Sequence, residues 1–140
     1  MTDARCVTLV SMPWNNVRRP SIQVGTLRSV AEEAGWRVDS NYAYLDFYGL
    51  ARATLAMGDT AWSDAYELVS EGLYHLSVGD WIFTCRRADA DRREAYTREL
   101  RAKGIRESTI ALIDSLREVA DRHVEETAAA LLASAPDVIG

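Results

Sequence analysis

Cysteine and histidine are scarce in this sequence, two of each in 140 residues, and only three prolines occur. Cys6 and Cys85 lie far apart, Cys6 inside one apolar run and Cys85 after another. That disfavours a structural disulfide and leaves no paired cysteines for a zinc site; buried or idle thiols in a reducing compartment are expected, able to pair only if the fold brings them together. His75 and His123 have no ligand spacing to each other or to a cysteine, so metal binding has no motif. No serine stands in a nucleophile elbow and no Cys-His pair is apparent, which leaves hydrolase chemistry unsupported. Phosphate loops are missing too: no G-x-G-x-x-G follows an apolar run and no G-K-[ST] occurs. No apolar run approaches the roughly 18 residues of a membrane span, and the N-terminus does not have the charged-then-apolar layout of a signal peptide. A cytoplasmic location is therefore expected. Basic excess is also lacking. With a net charge of −5, a pI near 5.0 and arginines interleaved with acids, nucleic acid is disfavoured as a partner.

What is present reads as one globular domain, with 48% hydrophobic and 26% charged residues. Residues 6–12, CVTLVSM, are β-branched and apolar and stop at a proline, the pattern of a strand covered on both faces. From Ser21 the period becomes helical. Ile22, Leu27, Val30, Ala31 and Ala34 are expected on one face, with Pro20 and Ser21 at the start and Gly35 at the left-handed cap. Residues 36–47, WRVDSNYAYLDF, read as a second strand through Val38, Tyr42, Tyr44 and Leu45. Strand, helix and strand of these lengths imply a parallel unit.

Helices are expected over 48–57 and, longer, over 61–76, with Trp62, Ala65, Tyr66, Val69 and Leu73 on one side. GDWIFT, residues 79–84, reads as a helix end or a brief extended piece. DADRREAYTRELRAKG is an exposed charged helix stopped by Gly104. A last helix over 107–135 carries Ile113, Leu116, Ala120, Val124, Thr127 and Leu131 as its stripe. Residues 136–140, PDVIG, begin a third parallel strand. The expected fold is thus α/β: an incomplete Rossmann-like parallel sheet with a helix-rich C-terminal extension. Within 1–140 it comprises a βαβ unit over 1–50, helices over 51–135 and the strand start at 136–140. Either a partner completes such a sheet or the chain is a piece of something longer.

In an open parallel sheet ligands sit beyond the carboxyl ends of the strands, so the loop from Met12 to Gln23 is where a site is expected. Arg18 and Arg19 are suited to an anion, Asn15 and Asn16 offer amides, and the helix start points N–H groups outward. Trp14 either covers a ligand's ring face or packs on the core. Asp46 and Asp80 lie among aromatics and read as capping or structural rather than ligand-facing. Asp121-Arg122-His123 shares two defined positions, Asp and His, with the D-x-H-x-x-G loop that donates histidine to cobalt in some cobalamin proteins. Glu126 replaces its glycine, however, and the segment reads as mid-helix, so His123 is expected at the core edge or in solvent.

The motifs VTLVSMPW (7–14), RPSIQVGTLRSVAEEAG (19–35), YAYLDFYGLA (42–51), GDWIF (79–83) and APDVIG (135–140) run in an order that resembles one family. It is the N-terminal region of the cobalamin-binding radical SAM proteins that mature ribosomally made peptides (RiPPs). The resemblance implies a Rossmann-type cobalamin domain ahead of a radical SAM barrel, and methyl transfer from SAM through cobalamin to a precursor peptide. It also implies that Met12, Pro13, Trp14, Arg19, Pro20, Ser21, Gln23 and Gly25 edge the corrin pocket, with Gly25 allowing close approach and no protein histidine below cobalt. The cluster that cleaves SAM needs a C-x-x-x-C-x-x-C run, and two cysteines cannot supply it. The expectation is therefore a cobalamin-binding part that is not catalytic alone. SAM and an iron-sulfur cluster would belong only to a full-length protein. The rival expectation is a non-catalytic α/β interaction protein that docks on a partner chain or self-associates through the edge at Val138 and Ile139. A standalone hydrolase or transferase has no motif behind it.

Overall fold

The computed structural model describes residues 5–84 and 90–140. Cys85 and the head of the expected charged helix, Asp89, lie outside the described residues. Two compact units emerge. One takes in the described residues up to Gly49 together with Val124–Gly140, and the other the described part of Leu50–His123.

The first unit holds a three-stranded parallel sheet in the order β2-β1-β3, which makes the fold mixed α/β. Strand β1 is Cys6–Val10, β2 is Arg37–Asn41 and β3 is Val138–Ile139, and the helix α1 between the first two is Ile22–Glu33. Val7 lies opposite Val38 on one side and Val138 on the other. Four successive residues of β1 from Cys6 to Leu9 are buried, as its unbroken apolar run predicts for a central parallel strand. Val7, Leu9, Val24 and Val38 form the core on one face of the sheet, with Ala31 and Trp36 packed against it.

Local signals set the ends of α1. Ser21 caps it by accepting the Val24 N–H at 3.3 Å. At the other end Gly35 adopts φ +84°, and the Gly35 and Trp36 N–H groups return to Glu32 and Ala31. The helix face differs from expectation, because Val24 and Ala31 turn to the sheet. Ile22 is left 82% exposed, and Leu27 and Val30 are also exposed. The period is helical as expected, but the face that meets the sheet is the one carrying Val24 and Ala31.

A second correction concerns residues 43–47, expected as the end of the second strand and found as helix. Strand β2 ends at Asn41 and helix α2 runs Ala43–Thr54. Ala43, Tyr44, Phe47 and Ala51 are all buried at spacings of one, four and eight, which is one helical face, and that burial outweighs the strand preference of the aromatics.

Strand β3 is pinned at its first turn. The Asp137 N–H donates to the Cys6 carbonyl at 2.9 Å, and the Asp137 carboxylate accepts the Cys6 N–H at 2.7 Å. The Cys6 thiol is buried at this amino end of the sheet, within 3.4 Å of Arg37 Nε and 3.5 Å of the Asp39 carboxylate. In the parallel register Ile139 directs its own N–H and C=O away from β1.

The second unit is helical. Helix α3 (Asp59–Glu67) continues into a π turn, Leu68–Gly72, and a short 3₁₀ turn, Tyr74–Leu76. What was expected as one helix is thus broken, and Ser77 at φ 53° starts the five-residue α4 (Val78–Ile82) that carries the GDWIF motif. Helix α5 (Ala90–Ala102) ends at Gly104, φ +79°, and α6 spans Glu107–Ala133. Arg101 pairs with Glu107 across that turn at 2.6 Å. Trp62, Ile82, Leu100, Ile113, Leu116 and Val119 are among the largest buried side chains here. His123, expected in solvent or at the core edge, is 2% exposed. Val124, expected in the apolar stripe, is exposed, because the buried face of α6 passes through Val119, Ala120 and His123 instead. Among the described residues no helix is long and apolar enough to cross a membrane.

In this unit Trp81 meets the Arg117 guanidinium, 4.3 Å from its ring centroid, and the Tyr96 ring at 4.4 Å. The Tyr96 hydroxyl donates to the Leu76 carbonyl at 2.9 Å. Burial, with added repulsion from Glu99 and Asp80, pushes this hydroxyl up to about 12. A raised tyrosine value means that the unfolded chain ionises first. The associated stability is therefore complete below pH about 10, the ordinary tyrosine value, and fades as pH rises toward 12. Ultraviolet titration of tyrosinate is expected to show a step near pH 12 that Tyr96→Phe removes. A titration unchanged by that substitution would disprove the assignment.

Candidate functional site

The order β2-β1-β3 places the first strand centrally, with its neighbours on opposite sides. The loops that leave the carboxyl ends of adjacent strands diverge at such a point and open a crevice. The structure has one there, about 180 Å³, between the ends of β1 and β3 and the start of α1. Its lining is apolar at Leu9, Val10, Met12, Val24 and Leu27, and uncharged and polar at Ser11, Asn15, Ser21 and Gln23, with Gly140 completing it. None of the lining side chains is ionisable.

The polar part of the lining is ordered by its own bonds. Asn15 Nδ2 donates to Ser11 Oγ at 2.7 Å and to the Met12 carbonyl at 3.1 Å, which fixes the plane of that amide. Ser11 in turn is held by the sheet, its N–H donating to the Asn41 carbonyl and its carbonyl accepting the Tyr44 N–H. Ser21 Oγ is committed to the helix cap. Beside this end of the sheet, Ser40 Oγ and Asn41 Oδ1 are buried without a hydrogen-bond partner among the described residues. Buried polar atoms are normally satisfied, so unmet hydrogen-bonding capacity is concentrated at the carboxyl end of β2.

Of the residues singled out from sequence, Met12, Asn15, Ser21 and Gln23 line the crevice. Pro20, Ser21 and Gly25 border a shallower hollow with Ile22, Thr26 and Ser29 on the flank of α1. A Cβ on Gly25 would meet nothing within 4 Å, so no neighbour in this chain requires a glycine there. Pro13 is half-buried and not part of the lining. Trp14 packs edge-on against Phe47, ring centroids 5.1 Å apart at 87°, so its ring serves the core of the first unit. Arg18 and Arg19 are exposed, and their N–H groups close a turn on Asn16. They are not in the crevice wall. Sequence reasoning missed Leu9, Val10, Ser11, Val24, Leu27 and Gly140. Ser11 carried a signal, being the first polar residue after the apolar run, while Gly140 joins the site only through the pairing of β3 with β1.

For a corrin the residues present fit in part. A lining that mixes apolar side chains with amides and hydroxyls suits a ring edge with carboxamide arms, and the volume matches an arm rather than a whole ring. Among the described residues no group of three or more histidine, cysteine, aspartate or glutamate side chains is placed to hold a metal ion. Compared with family models, with curated proteins and with solved structures, the chain matches none.

Proposed function

We propose that this chain is the cobalamin-binding part of a peptide-maturing radical SAM methyltransferase, cytoplasmic and not catalytic by itself. The observation that carries the reading is the gathering of residues from SMPW and RPSIQVG at one crevice beyond the carboxyl ends of β1 and β3. Cobalamin, when bound, supplies a carrier for a methyl group. Met12 and Leu27 would lie against apolar ring edge, Gln23 and Asn15 would meet its amide arms, and the loop would shield that edge from water. The precursor peptide and a radical SAM domain are the partners this reading requires.

The test is gel filtration of the folded chain after incubation with hydroxocobalamin. Corrin absorbance is expected to travel with the protein and to fall by about tenfold for Leu27→Asp, which sets a charge among the apolar lining residues. Corrin found wholly in the small-molecule fraction would overturn the reading.

One observation favours a second reading, an interaction protein without a cofactor. The outer edge of β3 presents the Ile139 peptide groups, with Val138 and Ile139 45% and 49% exposed. In the same experiment this reading expects a dimer-sized protein peak and no bound corrin.

A further inference from the structure

The crevice is lined by side chains that carry no charge, and at the start of α1 Ser21 Oγ is committed to the Val24 N–H. Asn15 has its Nδ2 committed to Ser11 and Met12. Gln23 is different. It is the second residue of α1, its side chain is exposed, and it stands in the crevice wall with the apolar Met12 and Leu27. A carboxamide offers a carbonyl oxygen and an N–H on adjacent atoms, and so forms two parallel hydrogen bonds with any group having the same pair in reverse. A carboxylate or phosphate would satisfy the amide's N–H and repel its oxygen.

We infer that Gln23 recognises an uncharged cis-amide edge, an N–H beside a C=O, on the group that enters the crevice. This rests on the reading of the crevice as the ligand site and names what that site accepts. The volume, about 180 Å³, corresponds to roughly six waters and admits one small amide-bearing group. Two sources share this chemistry, a primary carboxamide on a flexible arm and a lactam edge within a ring.

The experiment is titration of the whole ¹⁵N-labelled chain, followed by amide chemical shifts, with propionamide for the arm and pyrrolidone for the ring. N-Methylpyrrolidone is the control that keeps the shape and the carbonyl but has no N–H. Saturable shifts of the Gln23 side-chain N–H₂ and of the Ser21 and Met12 amides are expected with one or both amides. N-Methylpyrrolidone should bind about three- to tenfold more weakly than pyrrolidone, the worth of one net hydrogen bond. Gln23→Leu lies on an exposed helix position and its spectrum reports whether the fold is kept. It should erase that preference and weaken propionamide by a similar factor. Propionamide alone binding assigns an arm, and pyrrolidone alone a ring edge. The inference is overturned if N-methylpyrrolidone binds as well as pyrrolidone, if Gln23→Leu keeps the discrimination, or if no compound gives a saturable shift. Corrin retention is scored separately, so cobalamin without amide selectivity sinks this inference alone, and amide selectivity without cobalamin sinks the cofactor reading alone.

Discussion

Phe47→Ala is expected to destabilise the sheet-containing unit by about 3–5 kcal/mol, the usual cost of removing a fully buried aromatic side chain. Phe47 is 0% exposed and meets the Trp14 ring edge-on at 5.1 Å. The substitution therefore leaves a void under helix α2 and removes the surface on which the loop after β1 rests. Stability and site are coupled at this residue. Urea denaturation should show the loss in midpoint, and the Trp14 indole N–H resonance should shift and broaden. Phe47→Leu fills most of the space and should cost much less, about 1–1.5 kcal/mol, as core swaps between hydrophobic side chains do. A Phe47→Ala loss under about 1 kcal/mol, far below the range for a buried aromatic, would show that Phe47 is not the support of that loop.

Trp62→Ala should be as damaging in the helical unit, also about 3–5 kcal/mol. Trp62 is fully buried on α3 and stacks edge-on with Tyr66 at 5.8 Å. The pair lies one helical turn apart, so losing the indole exposes the face that precedes the π turn. Hydrogen exchange at Ile110, Ile113 and Leu116 in α6 is the appropriate measure, since these buried residues report opening of the same unit. Protection factors unchanged from the parent chain would contradict the core assignment.

How far these features could be read in advance depended on how local their causes were. Strand β1 follows from an unbroken β-branched run, and the ends of α1 and α5 follow from Ser21, Gly35 and Gly104, each of which acts through its own backbone or a cap bond nearby. Ala43 to Phe47 misled because aromatic residues favour strands on average, whereas here Ala43, Tyr44, Phe47 and Ala51 share a buried helical face. The exposure of Ile22, Leu27 and Val30 was equally hidden, since the helical period says which residues share a face but not which face meets the sheet. In the crevice, Met12, Asn15, Ser21 and Gln23 were legible as residues of the loop and helix start after the first strand. Leu9 and Leu27 depended on which faces of β1 and α1 turn toward the crevice, and Gly140 required the pairing of strands 131 residues apart in sequence, the separation of Cys6 and Asp137. Trp14 was ambiguous for a related reason, because its partner Phe47 lies in a segment whose helical nature was itself obscured.

The two bonds between Asp137 and the Cys6 peptide act as a length gauge for the far end of the sheet. They fix where β3 begins against β1, and so place Gly140 beside Leu9, where an added Cβ would already stand 3.7 Å from the leucine side chain. A slip of one residue would exchange the faces of Val138 and Ile139 and bring the isoleucine toward the position now held by glycine. The crevice would then be filled by its own strand. A carboxylate at the amino end of the sheet thus helps, through register, to keep the carboxyl end open.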